Sequence, residues 1–312
     1  MDYRQLGNSG LRVSVIGLGT NQFGGKVDQA GVDAIIGAAL DLGINLIDTA
    51  DVYQQGRSEE TLGKALQGRW DRVVLATKVF HPTGEGANDH GASRYHIMNG
   101  VEASLRRLQT DHIDLYQMHS WDETTPIEET LRALDDLVRS GKVRYVGASN
   151  FASWQLARAN AIADLRGWSP FVSIQNHYHM LERGLEREMI PYCNAHNVGI
   201  LPYFPLAGGF LTGKYLRGQA APAGSRGESS TYVQRYMVDA NYAKVETLSA
   251  WAGERGHTMG ELAHAWLLGQ PRVSSVISGA TSVEHVVANS AGADWRLTVE
   301  ELAAVNAVLE RY

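Results

Sequence analysis

Val15-Ile16-Gly17-Leu18-Gly19-Thr20-Asn21-Gln22 is an apolar run that breaks off into small and polar residues. Two α/β architectures part at this stretch. A doubly wound open sheet that takes a dinucleotide carries Gly-x-Gly-x-x-Gly after its first strand, the third glycine allowing close helix packing. Gln22 stands at that third position, so the motif is absent. The same beat of apolar run and polar stop recurs at 44–48, 73–78, 113–119, 143–149, 172–175, 199–203 and 275–279, making eight runs with 15–19.

The intervening segments carry helical spacing and punctuation. Ser58-Glu59-Glu60-Thr61 opens a run with Leu62, Ala65 and Leu66 on one face. Pro126 precedes Leu131, Leu134, Leu137 and Val138, and that helix stops at Gly141. Ser153 is the expected cap of the helix through Leu156 and Ala159. Strands alternating with helices pair in parallel. Eight such units in 312 residues predict an α/β fold, a (β/α)8 TIM barrel forming one domain over 1–312. A hairpin over 3–6 and 11–15 around Gly7-Asn8-Ser9-Gly10 precedes it, and an extra C-terminal helix over about 298–310 follows. Two loops exceed ordinary connections, 81–93 and the Gly-, Ala-, Pro- and Ser-rich stretch 207–230. Loops of that size are commonly lids or ligand-binding segments.

Composition narrows the function classes. Hydrophobic residues make up 44% and charged residues 20%, a globular balance. A net charge of −6 argues against a nucleic-acid binder. The apolar stretches are strand-sized, well short of a membrane span, and the start lacks a signal-peptide core. One cysteine, Cys193, excludes an internal disulfide and a multi-cysteine metal site. These features predict a cytoplasmic protein with a small-molecule substrate, no nucleic acid, no membrane and no metal; they leave the oligomeric state open.

In a parallel barrel the C-terminal strand ends share one rim, where reactive groups collect. Asp48, Lys78 and His119 close the second, third and fourth runs, and Tyr53 lies in the loop after Asp48. This set suits carbonyl reduction, since a ketone that takes hydride at carbon needs a proton at oxygen. A phenol with a free pKa near 10 is a reluctant donor, and the expectation is that the Lys78 ammonium lowers that value. Asp48 would hold Lys78, and His119 would orient the substrate oxygen. Phe23, Trp121 and the 81–93 loop are the expected pocket walls.

At this point the chain resembles the aldo-keto reductases. The resemblance is carried by the stretches 43–53, 58–63, 105–116 and 141–150, and it runs from the hairpin to Asn289. Its branch is that of channel-β-subunit-like proteins and bacterial general reductases. The resemblance implies a barrel that binds a nicotinamide dinucleotide without a Rossmann fold. It also implies a tetrad of Asp48, Tyr53, Lys78 and His119 with Tyr53 as proton donor. For the cofactor it implies Thr20, Asn21 and Asp48 at the nicotinamide ribose, and Ser149, Asn150 and Gln175 at the carboxamide. Tyr203, at the head of Phe204, Pro205, Leu206 and Gly208, would stack on the ring. Lys214 and Arg226 would reach the phosphates. Gly279, Thr281, His285 and Asn289 would form the adenosine end, where the helix opening near Ser282 offers backbone N–H groups.

Two departures bear on the coenzyme. Ser282 stands where many members have a basic residue, and His285 where many have glutamine. Lys214, Arg226 and His285 compensate, so NADPH/NADP+ is expected over NADH. Two other readings are weighed. A metal-dependent hydrolase would use the His177-x-His179 pair, which lacks companion ligands at metal spacing. A cofactor-binding interaction subunit with little turnover is the alternative that the resemblance leaves open.

Overall fold

A computed structural model describes residues 1–311. Strands β1 (Tyr3–Gln5) and β2 (Arg12–Ser14) form the antiparallel hairpin. Then follow β3 (Ile16–Gly19), α1 (Gln29–Asp41), β4 (Leu46–Asp48), α2 (Arg57–Ala65), β5 (Val74–Val79), α3 (Arg94–Leu108), β6 (Ile113–Met118) and α4 (Ile127–Arg139). The second half holds β7 (Val143–Ser149), α5 (Ser153–Arg166), β8 (Phe171–Gln175), α6 (Met189–His196) and β9 (Gly199–Ile200). The short helices α7 (Arg226–Ser229) and α8 (Thr231–Gln234) interrupt the long loop. After them come α9 (Asp239–Gly253), α10 (Met259–Leu268), β10 (Val276–Gly279), α11 (Val283–Ala291) and the expected last helix, α12 (Val299–Arg311).

Eight parallel strands run in the order β10-β3-β4-β5-β6-β7-β8-β9. Single bridges Ile200 to Val273 and Tyr203 to Ile277 join the two ends of that row and close it. The seventh barrel strand is thus shorter than the 199–203 run suggested. Pro202 has no N–H to donate, and Tyr203 meets its neighbours only as isolated bridges.

Both faces of the strands are buried, as β5 and β6 show along their whole length. Inside, Leu46, Val74, Ala76, Leu115, Val172, Leu201 and Ile277 fill the lower barrel, and Leu6 and Val13 of the hairpin plug its base. Gly7 has φ +56°, and a Cβ there would meet Val172 O at 2.1 Å, so only glycine lets the plug sit so close. Outside, Ile47, Leu75, Tyr116 and Met118 pack against Ile36, Leu62, Val101 and Leu134 of the helices. Alternation then decides which groups reach the upper interior. Leu46 and Asp48 share one parity, as do Ala76 and Lys78, and Leu115 and Gln117.

One local expectation is corrected. Helix α5 is capped by Ala152, with Ser153 as its first residue. The Ala152 N–H donates to Gln155 Oε1 at 2.8 Å, so a glutamine reaching back replaces the serine cap.

Candidate active site

Asp48 ends the three-residue strand β4 and is buried. Its Oδ2 accepts from Lys78 Nζ at 2.7 Å. Its Oδ1 accepts from Gln175 Nε2 at 2.8 Å and from Gln117 Nε2 at 3.1 Å. Lys78 is fully enclosed, and its ammonium spends its remaining donors on Thr49 O at 2.8 Å and Tyr53 Oη at 3.2 Å. The Tyr53 oxygen is therefore an acceptor from Lys78, and no protein acceptor takes its own proton among the described residues. His119 sits edge-on to Tyr53, ring centroids 5.9 Å apart, with His81 behind it at 4.6 Å. The Nδ1 of His119 is buried without a hydrogen-bond partner among the described residues.

Electrostatics follow from this enclosure. Burial alone would lower the Lys78 pKa, but the Asp48 carboxylate and the Tyr53 oxygen overcome it and hold the ammonium above its ordinary value. Burial raises the Tyr53 phenol, and the opposing pull of Lys78 leaves a net upward shift. The expectation that Lys78 brings the phenol below 10 is thus reversed in direction: desolvation outweighs the neighbouring charge, and Tyr53 keeps its proton at neutral pH. Burial, then Lys78 and His81, depresses His119 to about 2, so its imidazole is neutral.

These buried groups set a pH dependence of stability. His177 is lowered to about 4 and His179 to about 3, burial being the larger cause in both. Asp51 is raised to about 8 by burial and by Glu59, with Arg107 opposing. Between pH 4 and 6.5 the unfolded chain holds protons on His119, His177 and His179 that the folded chain lacks, so stability rises with pH. Asp51 opposes this, because from pH 3.8 to about 8 the folded state carries a proton that the unfolded state has lost. Three histidines outweigh one carboxyl below 6.5; above it Asp51 alone remains of the four. Thermal melts are expected to give the highest Tm near pH 6.5, with lower values at pH 5 and pH 8. A Tm rising steadily from 5 to 8 would contradict the assignment of Asp51 as a buried acid.

Around the tetrad, Ser149 Oγ donates to Gln175 O at 2.8 Å, and Asn150 Nδ2 donates to His119 O at 3.0 Å. The Tyr203 hydroxyl donates to Asn150 Oδ1 at 3.0 Å, and its ring lies parallel to His177 at 5.4 Å. Ser149, Asn150, Gln175, Tyr203, Asp48, Tyr53, Lys78 and His119 are therefore brought to one rim. Phe204, Ala207, Gly208 and Gly209 follow in a turn of positive φ values, with Phe204 edge-on to Tyr232 of α8 and Pro205 and Leu206 inside that turn.

Two expected residues sit elsewhere. Thr20 is fully buried, its hydroxyl within reach of Asp48 O and Ser58 Oγ at 3.0 Å, so it serves the frame rather than the rim. Phe23 is also fully buried and belongs to the outer core, so it offers no surface to a pocket. Asn21 is exposed, its carbonyl accepting from Gln54. Trp121 is half-buried, edge-on to Phe151 and Trp154, with its Nε1 unpaired among the described residues.

At the far end, Lys214 is exposed beside Tyr215, and Arg226 opens α7 half-buried with no carboxylate partner among the described residues. The neighbouring Ser225 Oγ is buried without a hydrogen-bond partner among the described residues. Thr281 Oγ1 meets His285 Nδ1 at 3.1 Å, Ser282 caps α11, and Asn289 Nδ2 donates to Gly279 O. The His177–His179 pair is engaged with itself at 3.0 Å and with the Tyr232 and Tyr236 hydroxyls.

Gln117 was missed by the sequence reading. Its signal was available, because it stands two residues before His119 on the inward parity of β6. Nothing local in the sequence marks Thr49, which meets Lys78 through its backbone carbonyl. Among the described residues no helix is long and apolar enough to cross a membrane.

A family model described as Aldo/keto reductase family matches residues 15–310. The chain is 40% identical over 298 residues to the uncharacterized oxidoreductase YrpG of Bacillus subtilis (strain 168), spanning 92% of this chain and 89% of that one. It is 39% identical to a probable voltage-gated potassium channel subunit beta of Oryza sativa, over 99% of this chain and 97% of the relative. It is 34% identical to the versiconal hemiacetal acetate reductase of Aspergillus parasiticus, over 97% and 95%.

Proposed function

The chain belongs to the aldo/keto reductase family of oxidoreductases, and we propose that it reduces aldehydes and ketones, sugar-like carbonyls among them, with NADPH and with Tyr53 as the proton donor. The observation that carries this reading is the Lys78 ammonium, fixed by Asp48 and Thr49 O within 3.2 Å of the oxygen of Tyr53, whose ring stands edge-on to His119. Bound, the coenzyme supplies hydride to the carbonyl carbon. Tyr53 gives its proton to the carbonyl oxygen, which is far more basic once it becomes an alkoxide. Lys78 then stabilises the phenolate left behind, and Asp48 keeps Lys78 charged within the enclosure. Neutral His119 donates a hydrogen bond to the same oxygen without adding a charge. Trp121 walls the site.

The residues present fit a dinucleotide. Tyr203, Ser149, Asn150 and the free side-chain oxygen of Gln175 would hold the nicotinamide, with Asn21 and Asp48 at its ribose. Phe204, Pro205, Leu206 and Gly208 would line the pyrophosphate side. The unpaired Ser225 Oγ and the carboxylate-free Arg226 support a phosphate site together with Lys214. Gly279, Thr281, His285 and Asn289 would take the adenosine end. A charge-assisted hydrogen bond lost with Arg226→Ala should raise KM for NADPH by roughly tenfold or more while leaving KM for NADH nearly unchanged. Steady-state kinetics with both coenzymes checks this, and a wild-type preference for NADH would overturn the phosphate role of Lys214 and Arg226.

The rice relative's name supports one other reading, an interaction subunit that holds coenzyme with little turnover. Tight NADPH binding without oxidation across an aldehyde panel would favour it.

A further inference from the structure

Tyr53 is followed by a left-handed turn. Gln54 has φ 52° and ψ 36°, Gln55 has φ 55° and ψ 43°, and Gly56 has φ 87°. Glycine enters this region freely, but for two successive residues with a Cβ it is disfavoured and persists only where the surroundings impose it.

The surroundings do impose it. On one side the segment leaves β4, with the Tyr53 N–H donating to Ala50 O at 3.2 Å. On the other, α2 is fixed by Ser58, whose hydroxyl donates to Thr20 O at 2.9 Å and meets Thr49 Oγ1 at 2.9 Å. Gln54 Nε2 donates to Asn21 O at 2.9 Å, and Arg57 Nε donates to Gln54 O at 3.0 Å. Under the turn, Arg107 leaves no room: a Cβ on Gly56 would stand 2.9 Å from its Cδ. Arg107 Nε donates to Glu59 Oε2 at 2.7 Å, and Glu59 Oε1 accepts from Thr77 Oγ1 at 2.6 Å. Glu59 is fully buried. Thr77 is the residue before Lys78. One continuous set of contacts therefore runs from the strand that carries Lys78, through Glu59 and Arg107, to the turn that carries Tyr53.

With both ends of the segment pinned, a right-handed turn at 54–56 would be accommodated by moving Tyr53. We propose that the left-handed turn Gln54–Gly56, braced by Arg107 and Glu59, is a positioning device that sets the Tyr53 hydroxyl against Lys78. This rests on the reading of Tyr53 as proton donor. Gln55 is exposed and takes part through its backbone, its one side-chain hydrogen bond among the described residues being accepted from Arg57.

That exposure makes Gln55 the test. Gln55→Gly removes the conformational cost and should keep kcat within about twofold of wild type. Gln55→Val, a residue nearly excluded from the left-handed region, should lower kcat at least about tenfold through displacement of the hydroxyl. Coenzyme Kd, read by the fluorescence of bound NADPH, should be the same in both. Wild-type kcat in a folded Gln55→Val variant, or equal losses in Val and Gly, overturns the proposal. If Gln55→Val does not fold, Gln55→Asn and Gln55→Ala replace it. Asn, which tolerates this region, should then exceed Ala in kcat, and equal values overturn the proposal. Failure of the underlying reading has a different signature, namely a Tyr53→Phe variant that turns over like wild type.

Discussion

Tyr53→Phe is expected to lower kcat at least about a hundredfold while NADPH binds as tightly as before. The phenylalanine ring keeps the shape and the edge contact with His119, and only the oxygen is lost. That oxygen is the proposed proton source and one of three acceptors of the Lys78 ammonium. Because burial holds the phenol above its ordinary pKa, the wild-type enzyme has its acid protonated through neutral pH. The rate of reduction should therefore stay flat from neutral to mildly alkaline pH and fall only where the phenol ionises. Steady-state kinetics, together with fluorescence titration of the coenzyme, separates loss of chemistry from loss of binding. Unchanged turnover in the variant would remove Tyr53 from the mechanism.

The second large effect concerns the buried ion pair. Lys78 has no exposed surface and Asp48 has 3%, and they meet at 2.7 Å. Asp48→Ala leaves an ammonium enclosed with two neutral oxygens in place of its counter-ion, and leaves Gln117 and Gln175 without their shared acceptor. Such a single deletion is expected to cost roughly 3–5 kcal/mol of stability and to abolish measurable reduction. Replacing both partners, as Asp48→Asn with Lys78→Met, should recover most of the stability, since an uncharged pair carries no unpaired buried charge. Activity should remain absent, because nothing is left to stabilise a phenolate. Denaturant unfolding of the single and double variants measures this. A double variant no more stable than Asp48→Ala would show that the pair stabilises by more than avoiding an orphaned charge.

Much of this was legible in the sequence for identifiable reasons. The barrel was readable because strands buried on both faces read as apolar runs, and helices between them carry period and caps. The tetrad was readable because a strand end in a parallel barrel is a position on the rim, so Lys78 and His119 are aligned by strand parity alone. What escaped depends on packing. Thr20 and Phe23 lie just past a strand end yet are fully buried, Thr20 against Ser58 at the start of α2 and Phe23 within the outer core. The sign of the Tyr53 shift was misjudged because a sequence gives the neighbouring charge but not the depth of burial that outweighs it. The left-handed backbone at Gln54 and Gln55 has no sequence signal either, since glutamine is not a residue that favours it.

In the proposed reaction this chain carries hydride from a nicotinamide coenzyme to a carbonyl carbon, with Tyr53 supplying the proton. It is tested most directly by single turnover with NADPH deuterated at the transferring position and an aldehyde substrate, the alcohol being examined by mass spectrometry. The predicted result is one deuterium on the carbinol carbon of the alcohol, and none formed on the same timescale by Tyr53→Phe with coenzyme bound. Bound coenzyme that is never consumed, or an alcohol without the label, would contradict it.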